Sequence, residues 1–184
     1  MYEIASGFSE QITKDVYDDL NPRFINNGKE IAFCSNRISD TVRIDDDYAQ
    51  IIDLNPNKDV FIYQYKKNKS ILKRITNSPD VDERSPQEYK SNYITYLSNN
   101  NGVYNRYLAR FDSAIAYIDT ATHYRYFTHT LPLTNLNTSI LDFDVSTQTG
   151  KIADIILRDG KNFISMSDIG NESAVTTLEL KNTN

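Results

Sequence analysis

The chain contains 184 residues, enough for one domain with its own core, and its net charge of -5 comes from acidic and basic residues mixed along the sequence. The lack of a lysine- and arginine-rich cluster argues against a nucleic-acid partner. The single cysteine, Cys34, excludes an internal disulfide and a thiolate zinc site, and no apolar run is long enough to insert into a membrane.

Aromatic and β-branched side chains dominate the apolar residues. Thirteen tyrosines and eight phenylalanines accompany many isoleucines, threonines and valines, whereas the strong helix formers alanine and leucine are sparse. Aromatic and β-branched residues pack well on a pleated surface. The composition therefore predicts an all-β fold.

Residues 2–12 are predicted to form two short strands, which end at Ile12-Thr13. Four strands follow, and the second alternates after an Asn-Gly-Lys turn. An insertion at 38–58 separates the second strand from the third, and we interpret it either as a binding loop or as a solvated excursion. The four strands are predicted at Asp19–Phe24, Ile31–Arg37, Val60–Tyr63 and Ile71–Thr76.

The same pattern occurs twice more along the chain, with Thr13, Thr76 and Thr134 as markers 63 and 58 residues apart. The run Ile94–Asn99 repeats Ile31–Asn36 with an isoleucine, an aromatic residue and Ser-Asn in the same order. The third copy lacks the proline and the Ser-Asn pair. Strands of the second copy are predicted at Glu83–Tyr89, Ile94–Asn99, Tyr104–Leu108 and Tyr124–His129, and those of the third at Ile140–Phe143, Ile152–Ile156 and Asn162–Met166.

Tandem four-stranded units indicate that the sheets stack on one another. A single four-stranded sheet leaves its apolar faces exposed to water, and neighbouring sheets in a stack cover them. We interpret the whole chain as one segment of about three antiparallel blades of a β-propeller. The units are 14–76, 77–134 and 135–184, preceded at 1–13 by the end of another blade. Propellers close with roughly four to eight blades, so the segment is expected to belong to a larger ring. Self-association and an open stack of three sheets are the alternatives.

The segment "NPRFINNGKEIAFCSNR" at 21–37 resembles the TolB-type propeller repeat, a WD40-like repeat with Pro-x-aromatic, a Gly-Lys turn, Ile-Ala-Phe and Ser-x-Arg. The second copy matches at Pro86, Ile94, Tyr96, Ser98 and Gly102, and the third matches in part. The resemblance implies a non-enzymatic scaffold that binds a protein partner in the periplasm or at the surface of a Gram-negative bacterium. The alternative is an accessory propeller of a serine peptidase or other hydrolase whose catalytic domain lies outside this chain.

Few residues of the sequence suggest a catalytic or metal-binding site. The triplet Asp45-Asp46-Asp47 is either a calcium-binding or partner-binding loop or a solvated acidic turn, and it lacks the spacing of known calcium loops. His123 and His129 have no evident third zinc ligand. The sequence contains none of the common hydrolase or phosphate-binding motifs. We therefore predict no enzyme activity, no metal and no cofactor.

Two further groups of residues are candidates for binding. Tyr104 and Tyr107 either form an exposed platform for a sugar or peptide or pack between sheets, so carbohydrate binding is a third functional hypothesis. The charged residues near the start of the first strand of two units either contact a partner or form turn and inter-strand hydrogen bonds. These residues are Asp18, Asp19, Glu83 and Arg84.

Overall fold

A computed structural model describes residues 2–3, 7–42, 54–65, 70–90 and 92–169, and within these ranges the chain forms thirteen β-strands and no helix. The prediction of an all-β fold is therefore confirmed. Nowhere in these ranges is there a helix long and apolar enough to cross a membrane.

The strands form three antiparallel meander sheets, in which each strand pairs with the next along the chain, and one short hairpin. The hairpin pairs β1 (Tyr2–Glu3) with β2 (Phe8–Ser9). The first sheet contains β3 (Asp19–Ile25), β4 (Glu30–Ser35), β5 (Asp59–Tyr63) and β6 (Lys73–Arg74). The second sheet contains β7 (Glu83–Lys90), β8 (Tyr93–Ser98), β9 (Asn105–Ile118) and β10 (Thr122–Pro132). The third sheet contains β11 (Ile140–Ser146), β12 (Lys151–Arg158) and β13 (Lys161–Asp168).

The second sheet packs on both of its neighbours. On one face, Ile94, Tyr96 and Tyr107 share a core with the first sheet. On the other, Leu97 and Leu108 share a core with the third sheet. Because successive residues of a strand point to opposite faces, Tyr96 and Leu97 can serve the two cores from adjacent positions on β8. The three sheets therefore stack in chain order, with the second between the other two.

Polar contacts also join the second and third sheets. Arg106 on β9 and Asp154 on β12 form a buried ion pair. The side-chain amide of Gln87 on β7 donates to the carbonyl of Phe143 over 2.6 Å and accepts from the backbone N–H of Val145 over 3.0 Å. Such contacts satisfy polar groups that stacking removes from water.

The repeated threonines hold equivalent positions in successive sheets. The hydroxyl of Thr76 accepts a hydrogen bond from the backbone N–H of Val60, and that of Thr134 accepts one from Arg106, both over 2.8 Å. The Ser-Asn pairs are equivalent too, because Asn36 and Asn99 accept from the backbone N–H groups of Asp18 and Asp82. The repetition predicted from sequence is thus also a repetition of hydrogen bonds.

The turn between the first and second strands also recurs. Gly28, Asn92 and Gly150 lie at this turn in the three sheets, with φ angles of 71°, 66° and 66°. Glycine and asparagine adopt positive φ at the smallest cost, which explains their choice at this point.

The last two strands of the second sheet are longer than predicted. β8 pairs with β9 only as far as Arg110, whereas the β9–β10 pairing continues to Ile118 and Thr122. We call the two-stranded projection at 111–128 the ribbon. It forms because aromatic and β-branched residues continue past Leu108, and the backbone turns only at Asp119–Ala121. The second sheet has the four strands that were predicted, but the prediction that all four are short was wrong.

Candidate functional site

A cleft of about 960 Å³ opens between the outer edge of the first sheet and the ribbon. β6 and the residues after it form one wall, and Phe111, Tyr126 and Phe127 of the ribbon form the other. The buried residues Glu83 and Tyr96 line its inner end. The cleft therefore combines an aromatic wall with a buried carboxyl group.

Glu83 is the most unusual residue of the cleft. It is 2% exposed, and its Oε2 atom has no hydrogen-bond partner within the described part of the chain. Burial raises the pKa of Glu83 to about 8, the carboxylates of Asp59 and Asp82 add to this rise, and hydrogen bonding to Thr76 partly opposes it. Glu83 is consequently mostly protonated at neutral pH.

Glu83→Gln is expected to change how stability depends on pH. In the unfolded chain the carboxyl group ionises near pH 4.5, whereas the folded protein keeps the proton up to about pH 8. The parent therefore loses stability as the pH rises through this window, by up to about 1.4 kcal/mol per pH unit, and the variant does not. Urea unfolding of both proteins across the window tests this. A difference in unfolding free energy that stays constant with pH would contradict it.

The basic residues at the mouth of the cleft already have acidic partners. The Nε and Nη1 atoms of Arg74 lie 2.6 Å and 2.7 Å from carboxylate oxygens of Asp40 and Asp59. The ammonium of Lys73 lies 3.1 Å from Glu30. Neither neutralises Glu83, and no other lysine or arginine forms an ion pair with it in the ranges that the structure covers.

The ribbon exposes large apolar side chains. Ile115, Tyr117, Ile118 and Tyr126 are each more than half exposed, and Ile118 reaches 68%. Tyr117 stacks on His123 with ring centroids 4.2 Å apart, and Tyr126 stacks on Phe111 with centroids 5.6 Å apart. The ribbon therefore carries one group of exposed apolar side chains, and β13 carries another at Phe163, Ile164 and Met166. The group on the ribbon was not predicted, because the sequence does not show that β9 and β10 continue beyond their pairing with β8.

The tyrosines predicted as a binding platform contribute mainly to packing. Tyr107 is 6% exposed and stacks on Tyr96, with ring centroids 5.9 Å apart. Tyr104 is half-buried, its hydroxyl donates to Asp82 over 2.5 Å, and the guanidinium of Arg84 lies 3.5 Å from its ring centroid. Only the accessible part of Tyr104 remains for the predicted platform.

The remaining residues singled out from the sequence are the aspartate triplet, Cys34 and the histidines. Asp45, Asp46 and Asp47 lie outside the described residues. Cys34 is buried in the core between the first and second sheets, and desolvation raises the pKa of its thiol well above the usual value. His123 contacts Asp119 at 3.1 Å, and across the described ranges no three His, Cys, Asp or Glu side chains form a group able to hold a metal ion.

No family model and no curated protein matches the sequence. The resemblance to the TolB-type repeat therefore rests on the residues quoted above.

Proposed function

We propose that the chain is a non-enzymatic protein-binding module built as a segment of a β-propeller. The propeller interpretation is supported by the stacking of three meander sheets, the equivalent hydrogen bonds of Thr76 and Thr134, and the recurring positive φ at Gly28, Asn92 and Gly150. The motif at 21–37 supports a TolB-like scaffold in the cell envelope of a Gram-negative bacterium.

The observation that carries the binding role is the apolar surface of the ribbon. Its side chains are held by a backbone that pairs from Tyr107 to Ile118, so they are presented on an ordered element. Exposed aromatic and aliphatic side chains that cluster on one element are typical of protein–protein contact surfaces. The adjacent cleft extends this surface towards the first sheet.

The double variant Ile115→Ser, Ile118→Ser is expected to bind an envelope protein partner at least about tenfold more weakly, because these side chains are the exposed anchors. The matched control is Ile164→Ser, which changes an 80% exposed isoleucine on β13, away from the ribbon. The partner is identified by affinity capture from a cell-envelope extract, and the dissociation constants of the purified proteins are then measured by calorimetry. Equal affinities for the parent, the ribbon variant and the control would refute a binding role for the ribbon.

A further inference from the structure

The first sheet contains a buried ion pair at a position that repeats in the second. Asp19 pairs with Ser35 across β3 and β4, and the guanidinium of Arg37, two residues after Ser35, donates to both carboxylate oxygens of Asp19 over 2.7 Å and 2.8 Å. Glu83 pairs with Ser98 in the same way across β7 and β8. Two residues after Ser98 the chain has Asn100 instead of arginine.

The aromatic surroundings of the arginine are repeated as well. The guanidinium carbon of Arg37 lies 5.5 Å and 5.9 Å from the ring centroids of Phe33 and Phe61, which are themselves 5.9 Å apart. Tyr96 and Tyr107 occupy the equivalent cross-strand positions, also with their ring centroids 5.9 Å apart. A third ring, that of Tyr17 at 5.3 Å, and a second carboxylate, that of Asp15 at 3.4 Å, also lie beside Arg37, and Val81 and Pro79 stand at these positions of the second unit. The second sheet thus has one carboxyl group and two rings of this arrangement but no cation.

The residues near Glu83 do not supply a cation in place of the arginine. Among the residues that the structure describes, the side-chain amide of Asn100 donates only to the hydroxyl of Tyr107, over 3.5 Å. Arg84 follows Glu83 directly, but its guanidinium lies over Tyr104 and donates to the carbonyl of Ile140 in the third sheet. The Oε2 atom of Glu83 therefore has no hydrogen-bond partner in the described part of the chain, whereas both carboxylate oxygens of Asp19 are bonded by Arg37.

We propose that the inner end of the cleft binds a guanidinium group from an arginine of the protein partner, with Glu83 as its ionic partner and Tyr96 and Tyr107 as its aromatic neighbours. The proposal depends on the proposed function only in that a protein supplies the arginine. When the ion pair forms, neutral Glu83 releases one proton to solvent, and no other bond changes. Guanidinium suits this place because it bonds carboxylates in a fork and stacks on aromatic rings.

The charges around Glu83 favour a cation. Asp59 on β5 and Asp82 before β7 act on Glu83 with negative charge, but Asp59 is paired with Arg74 on β6 at 2.7 Å. Cys34 on β4, Tyr96 on β8 and Tyr107 on β9, which also interact with Glu83, are neutral at pH 7. The negative charge that favours a cation beside Glu83 is therefore mainly that of Asp82, which forms no ion pair in the described part of the chain.

The test uses Nα-acetyl-arginine amide as the probe and follows the ¹³C resonance of the Glu83 carboxyl group during pH titration. We expect tens of millimolar probe to lower the pKa of Glu83 measurably and to shift the amide resonances of Tyr96 and Tyr107. Nα-acetyl-citrulline amide, a neutral molecule of the same shape, should do neither. A Glu83 titration that the arginine probe leaves unchanged, or that citrulline changes equally, would overturn the proposal.

Two variants complete the test. Glu83→Gln should lower the affinity for the probe at least about tenfold, as removal of a charge-assisted partner does. Asn100→Arg should supply the missing cation from within the chain, lower the pKa of Glu83 without probe and block probe binding. If Glu83→Gln folds poorly, the Asn100→Arg variant provides the test. Unchanged binding of the probe to Asn100→Arg would refute the proposed site. The ribbon variant Ile115→Ser, Ile118→Ser should bind the probe normally, so failure here leaves the ribbon's role unaffected.

Discussion

Replacing Arg37 with alanine is expected to lower the free energy of unfolding by about 3–5 kcal/mol, the cost of breaking a buried ion pair by removing one partner. Arg37 is 2% exposed, donates to both oxygens of Asp19, and also bonds the hydroxyl of Ser35 and the carbonyl of Thr41. Without the guanidinium, the carboxylate of Asp19 stays largely buried with no cation beside it.

The matched control is Arg110→Ala. Arg110 also lies near an aspartate, Asp112, at 3.3 Å, but its side chain is 50% exposed, so its loss is expected to cost less than about 1 kcal/mol. Urea denaturation followed by far-UV circular dichroism measures both values. Equal losses for the two variants would show that the Asp19–Arg37 pair contributes no more than a surface pair.

Replacing Ile140 with alanine is expected to cost about 2–5 kcal/mol, because the side chain is fully buried between the second and third sheets and its removal leaves a cavity. Ile164 offers the same substitution on the same sheet, and its side chain is 80% exposed. Ile164→Ala is expected to change stability by less than about 0.5 kcal/mol. Chemical denaturation of both variants provides the comparison, and similar losses at the two positions would contradict packing between the second and third sheets.

The strands and turns could be predicted because their signals are local. Alternation predicted the second strands at Ile31–Arg37 and Ile94–Asn99, close to β4 and β8 as the structure has them. The sequence identified Thr76 as a recurring residue but did not explain its role, because its hydrogen-bond partner Val60 lies sixteen residues away in sequence. Local patterns in a sequence predict individual strands and turns, whereas contacts between distant strands can be seen only in the folded structure.

The candidate site was predictable only in part. Glu83 stood out as a charged residue near the start of a strand, and the change from Ser-x-Arg to Ser98-Asn99-Asn100 is visible in the sequence. The consequence of this change for Glu83 can be recognised only by comparison with the Asp19–Arg37 pair, which the structure shows and the sequence does not. The ribbon was missed for a different reason, because alternating residues predict a strand equally well whether or not neighbouring strands cover it.

The stacking of the second sheet between its two neighbours is tested most directly by nuclear Overhauser effects between methyl groups. With labelled isoleucine, leucine and valine methyls, we expect contacts from Ile94 to the Val60, Ile62 and Ile75 group of the first sheet. We also expect contacts from Leu97 and Leu108 to the Ile140 and Ile152 group of the third sheet. Intact cross-strand contacts within each sheet, without either set of contacts between sheets, would contradict this stacking.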